Sequence, residues 1–118
     1  MSRPDSFQSI WPPVGNDPFD GLPEVREARK MFLAQMTCLG EMNHQAMQPN
    51  SGDQTRYLSR EIAALLHNIS GTAAYFGEAD FGDFASGMEQ PVRAAFTADL
   101  LRPLCATILD RMAPPGRC

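Results

Sequence analysis

The chain has 118 residues, 43% of them hydrophobic and 20% charged, with a formal net charge of −4. These values describe one globular domain with a modest core, and exclude a disordered chain or two independent domains of ordinary size. The acidic balance and scattered arginines leave no basic stripe to track a phosphate backbone, so nucleic acid is not an expected partner.

Residues 1–21 carry prolines at positions 4, 12, 13 and 18, which remove backbone donors and fix φ, so this stretch reads as an irregular arm. It also holds Phe7, Ile10, Trp11 and Phe19, enough apolar surface that part of it is expected to lie across the domain. From Leu22, the residues Val25, Phe32, Met36, Leu39 and Ala46 recur at helical intervals, with Asp20 or Gly21 as the start and Pro23 in the first turn. The run PNSGD at 49–53 breaks this helix, and Ser51 or Asp53 can cap a second one from about 53 to about 75. Phe76 and Gly77 read as its stop. A third helix from about Glu78 to Arg93 carries Phe81, Phe84 and Met88, and is interrupted in composition by Gly82, Gly87 and Pro91. Thr97 can cap a fourth, running to about Met112 on Leu100, Leu101, Leu104, Ile108 and Leu109, with Pro103 expected to kink it or shift its start. No segment reads as a strand.

The expected architecture is therefore all-α, an antiparallel up-and-down four-helix bundle over residues 22–113, with an irregular N-terminal arm before it and a short tail at 114–118. Cys38, Cys105 and Cys118 have neither an even count nor metal-ligand spacing, which indicates reduced thiols. No segment approaches the length needed to cross a bilayer and no targeting segment is recognisable, so a cytoplasmic, membrane-free protein is expected.

The second helix holds the residues with chemical content. Successive helical residues turn by about 100°, which puts Leu58, Ile62, Leu65, Ile69 and Phe76 within roughly 40° of the direction opposite His67, with Leu66 and Ala73 beside them. That stripe should face the core and His67 should face solvent. Around the imidazole lie Ala63, Ala64, Ser70, Gly71 and Ala74, with Arg56 and Arg60 two to three turns toward the N-terminus. A solvated face is usually filled with Lys, Glu and Gln, and glycine inside a helix costs about 1 kcal/mol relative to alanine. The missing bulk indicates that something large approaches His67.

What is absent narrows the chemistry. A hydrolytic base would need a nucleophile and an orienting carboxylate, and this face offers only Ser70. A metal site would need further ligands three or four residues away, and there are none; His44 lies on another helix. An exposed imidazole remains, largely neutral and nucleophilic near neutral pH, suited to a phosphoryl group brought by a partner.

The sequence His67-Asn68-Ile69-Ser70-Gly71-Thr72-Ala73, followed by Phe76-Gly77, resembles the signature of histidine-containing phosphotransfer (HPt) domains. The Gly52-Asp53 entry to this helix and Glu89 near the end of the next are also similar, and the resemblance runs from about Leu22 to about Met112. It implies a monomeric four-helix bundle whose exposed histidine relays phosphoryl groups between the aspartates of response-regulator or hybrid-kinase receiver domains. It also implies no resident cofactor or metal, the magnesium ion belonging to the receiver. By position, His67 would be the phospho-acceptor and Gly71 the clearance for the receiver. Ser70 departs from the pattern, where lysine is common. Arg60, or else Arg56, is expected to supply the missing positive charge, with the Ser70 hydroxyl donating a hydrogen bond. The receiver-docking surface is expected at Ala63, Ala64 and Ala74, with Met31, Cys38 and Met42 on the first helix. Two other readings stay open: an adaptor that docks on a receiver or kinase without being phosphorylated, and a small enzyme. The second lacks a nucleotide-binding glycine loop or metal constellation.

Overall fold

Proline sets the entry to the first helix. In the computed structural model, which describes residues 22–112, α1 spans Pro23–Ala46 with Leu22 as an extended N-cap that provides no side-chain hydrogen bond. A proline in the first turn sacrifices no intrahelical bond, because that N–H has no helical acceptor. The arm and the tail, and with them Asp20, Gly21 and Cys118, lie outside the described residues.

α2 spans Gly52–Thr72, and Ser51 caps it by accepting the Gln54 N–H at 3.1 Å. Asp53 falls inside the first turn, where its charge complements the helix dipole. One turn of 3-10 helix, Ala73–Phe76, prolongs α2, and Gly77 closes it at φ 79°, the left-handed conformation that glycine adopts without a Cβ clash. α3 spans Ala79–Arg93 and α4 spans Ala98–Met112. Thr97 caps α4 by accepting the Leu100 N–H at 3.4 Å, and Pro103 lies within that helix without moving its start.

These elements make an all-α, antiparallel up-and-down four-helix bundle, with no strand among the described residues. Neighbouring ends give the directions. Phe32 near the start of α1 stacks on Phe76 after the end of α2, ring centroids 5.0 Å apart. Ser59 near the start of α2 donates to the carbonyl of Val92 at the end of α3, at 2.6 Å. Arg102 in α4 donates to the Gln48 carbonyl just past α1, at 3.0 Å. α2 is the central helix, in contact with each of the other three and most extensively with α3.

The core includes Phe32, Met36 and Leu39 from α1, Leu58, Ile62, Leu66 and Ile69 from α2, Phe81, Ala85 and Val92 from α3, and Leu101, Cys105 and Ile108 from α4. Burial pushes the Cys105 thiol up to about 12, so it stays protonated and unreactive. Two expectations are corrected. Leu100 is 56% exposed, because it lies about 100° around the helix from the buried stripe of Leu101, Cys105 and Ile108. Leu65 is only half-buried, with Leu66 taking the fully buried position. Asn43 is a fully buried polar residue that no apolar pattern reveals; its amide donates to the Leu39 carbonyl one turn earlier and so stays within its own helix.

Among the described residues, no helix is long and apolar enough to cross a membrane.

Candidate functional site

The buried arc of α2 is rotated from where hydrophobicity alone places it. The buried residues Leu58, Ser59, Ile62, Ala63, Leu66 and Ile69 cover a sector that, at about 100° per residue, runs from opposite His67 to within roughly 40° of it. Polar Ser59 and small Ala63 belong to this arc because α3 packs closely against that side. At Gly82 of α3, an added Cβ would come within 3.0 Å of the Ala73 Cβ and 3.5 Å of the Ser70 carbonyl oxygen. Gly82, Ala85, Glu89 and Val92 follow one another at helical spacing, so they form one row along the seam with α2. His67 therefore sits at the rim of the α2–α3 seam, still exposed but within reach of α3.

That position gives the imidazole a fixed partner. His67 Nδ1 lies 3.1 Å from Glu89 Oε1, with the histidine side chain 69% exposed and that of Glu89 18% exposed. An ionised carboxylate only accepts hydrogen bonds, so Nδ1 carries the proton and donates it, which in the neutral ring leaves Nε2 with the free lone pair. The second oxygen of Glu89, Oε2, accepts from Arg93 at 3.0 Å, one turn further along α3. The Arg93 hydrogen bond and then the His67 hydrogen bond hold the Glu89 carboxyl below its ordinary value of 4.5. Because the folded-state value is depressed, this contribution to stability is present above pH 4.5 and is lost as the pH falls through the lower folded value. In an acid titration followed by NMR, the Glu89 carboxyl carbon should move below pH 4.5, with the His67 Nδ1–H signal weakening in parallel; a Glu89 midpoint at or above that value would contradict the pairing of Glu89 with Arg93 and His67.

The residues expected at the site divide into those the structure gathers and those it does not. Gly71 and Ala64 lie exposed beside His67, and a Cβ added at Gly71 would meet nothing within 4 Å. Ala74 is also exposed, but on the 3-10 turn. Ala63, expected on the exposed docking face, is fully buried in the α3 seam and cannot touch a partner. The Ser70 hydroxyl donates to the His67 carbonyl at 2.8 Å, so its proton is engaged within the helix and not aimed at the imidazole. Arg60 and Arg56 are exposed on α2, about 10 and 16 Å back along the axis at 1.5 Å per residue. Arg93, which the sequence does not single out, is the cation coupled to the imidazole, through Glu89. The Glu-x-x-x-Arg spacing at 89–93 is its only sequence signal.

On α1, Met31 is 65% exposed, whereas Cys38 is half-buried and Met42 packs against the core. Met31 also borders a feature the sequence does not announce. With Leu22, Val25, Ala28, Tyr75 and Phe76 it lines an apolar groove of about 540 Å³ between α1 and the turn after α2, at the His67 end of that helix. Among the described residues, no group of three or more His, Cys, Asp or Glu side chains is placed to hold a metal ion.

Comparison of the chain with known protein families, with curated proteins and with solved structures gives no match in any of the three.

Proposed function

We propose that this protein is a cytoplasmic histidine phosphotransfer domain, a non-catalytic relay that takes a phosphoryl group from one receiver aspartate onto His67 Nε2 and passes it to another. The observation that carries this reading is the committed imidazole: an exposed ring whose Nδ1–H is held by Glu89 at 3.1 Å presents a nucleophilic Nε2 to solvent. In the transfer, the Nε2 lone pair forms the N–P bond as the P–O bond to the receiver aspartate breaks, and the aspartate leaves as a carboxylate. Nδ1 keeps its proton, so the ring becomes cationic, and Glu89 faces the charge that develops. The donor aspartyl phosphate and its magnesium ion belong to the receiver, which supplies most of the positioning and neutralisation that phosphoryl transfer requires.

The surroundings of His67 suit a macromolecular partner. A convex helix is a poor pocket for a small substrate. The open space at Gly71 and Ala64 admits the rim of a receiver, and the groove beside Met31 and Tyr75 gives apolar area for it to dock on. Gly71 provides a discriminating variant. Gly71→Ala should stabilise the helix by up to about 1 kcal/mol, since the new methyl meets no atom of this chain. The same methyl stands where a receiver must approach, and transfer should fall by about tenfold. Thermal unfolding and transfer kinetics on the same sample check both halves.

The direct test offers the protein to a panel of receiver domains phosphorylated by acetyl phosphate in the presence of magnesium. Acid-labile, alkali-stable phosphate should appear on this chain from at least one of them. Receivers that bind the chain yet leave it unlabelled would replace the relay with the adaptor reading.

A further inference from the structure

Arg93 is placed to do more than an ordinary surface arginine. It and Glu89 are four residues apart on α3, and the Glu89 carboxylate is shared, Oε2 with Arg93 at 3.0 Å and Oε1 with His67 at 3.1 Å. Exposed ion pairs at this spacing contribute little on their own. This one differs because the Glu89 side chain is only 18% exposed and a second donor fixes its other oxygen. The backbone beneath Arg93 is also held. The Ser59 hydroxyl of α2 donates to the Val92 carbonyl at 2.6 Å and lies 3.4 Å from that of Arg93. The last turn of α3, weakened by the missing N–H of Pro91, is thereby tied to the helix that carries His67.

We propose that Arg93 is a positioning residue of the phosphotransfer site, aiming the Glu89 carboxylate at His67 Nδ1 and offsetting its charge when Nε2 carries a phosphoryl group. A phosphoryl group brings up to about two negative charges to the ring, and Glu89 adds another a few ångströms away. Without Arg93 that extra charge opposes the transfer and the carboxylate is free to rotate away from Nδ1. Arg60, on α2 itself, lies about two turns from the ring, whereas the Glu89 carboxylate is paired with His67 and Arg93. The charge-offset half of this inference rests on the phosphotransfer reading; the positioning half rests on the geometry of the unphosphorylated protein.

The experiment compares wild type with Arg93→Gln, Arg93→Lys, Glu89→Gln and the Glu89→Gln/Arg93→Gln double variant, in two measurements. Imidazole 15N shifts of the unphosphorylated proteins report which nitrogen of His67 holds the proton. Initial rates of His67 phosphorylation by phosphoramidate report reactivity without any receiver contact. Arg93→Gln should shift His67 from a single Nδ1–H tautomer to a mixture and slow phosphorylation by about tenfold, the scale on which residues that orient another group act. Arg93→Lys should keep most of the rate. Against the neutral glutamine of Glu89→Gln there is no charge to offset, so the added Arg93→Gln change should alter the rate by less than about twofold. Equal losses in both backgrounds, or unchanged tautomer and rate in Arg93→Gln, would overturn the proposal. A wild type that resists phosphoramidate while its tautomer still depends on Arg93 would overturn the phosphotransfer reading and leave the positioning role standing.

Discussion

Replacing His67 by glutamine should abolish acid-labile phosphorylation of the chain while leaving the bundle folded. The imidazole is 69% exposed and contributes nothing to the core, and among the described residues its one side-chain hydrogen bond is with Glu89 at the rim of the α2–α3 seam. Surface substitutions of this kind shift stability little, so the melting temperature should stay within roughly 5 °C of wild type. Glutamine can still donate an amide N–H to Glu89, which preserves the seam, but its amide has no nucleophilic nitrogen. The loss of label is therefore chemical and not structural. Circular dichroism and label incorporation on one preparation separate the two effects. Label surviving in His67→Gln would move the acceptor elsewhere, with His44, exposed in the last turn of α1, the first position to examine.

Gly82→Val should destabilise the protein by about 3 kcal/mol, the upper end of what over-packing costs. The first added carbon already lies 3.0 Å from the Ala73 Cβ and 3.5 Å from the Ser70 carbonyl oxygen. Backbone cannot yield as the tip of a long side chain can, and valine adds two methyls beyond that point, so α3 must move outward. For a domain of this size the change corresponds to a fall of roughly 15 °C in melting temperature. The consequence for the site is separate from the loss of stability. Gly82 and Glu89 lie on the same row of α3, so a wider seam draws Glu89 away from Nδ1. In the fraction still folded, the His67 tautomer should become mixed. Gly71→Ala makes the contrast: both glycines interrupt a helix near the site, Gly82 facing the end of α2 and Gly71 facing open space. A Gly82→Val protein as stable as wild type would mean that the seam is looser than these distances describe.

Much of this was legible in the sequence because local rules and packing agree there. Ser51, Thr97 and Gly77 end or begin helices through their own hydrogen bonds or backbone conformation, and those signals do not depend on the rest of the fold. The outward direction of His67 was also legible, since the apolar stripe of α2 leaves few alternatives. The rotation of the buried arc was not. Ser59 and Ala63 look like surface residues by hydropathy, yet both are buried, Ser59 donating to the Val92 carbonyl of α3. Composition presented Gly82 as an interruption of α3; the structure makes it the residue that lets α3 approach.

The same rotation brings a second cation into the surroundings of His67. Arg60 shares a helix face with it, which helical spacing shows at once, whereas Arg93 reaches it through a carboxylate on another helix. Pairings across a seam depend on the register between helices, and one sequence does not state that register. Helical spacing places Ser70 beside His67, and serine inside a helix also has an acceptor in a carbonyl one turn back, here that of His67 at 2.8 Å.

The central claim is that His67 reacts through Nε2 because Glu89 holds the proton on Nδ1. Phosphorylating uniformly 15N-labelled protein with phosphoramidate and reading the phosphorus–nitrogen coupling by NMR tests it most directly. Coupling to Nε2, with Nδ1 still protonated, is the predicted result. Coupling to Nδ1, or no phosphohistidine at all, would contradict it.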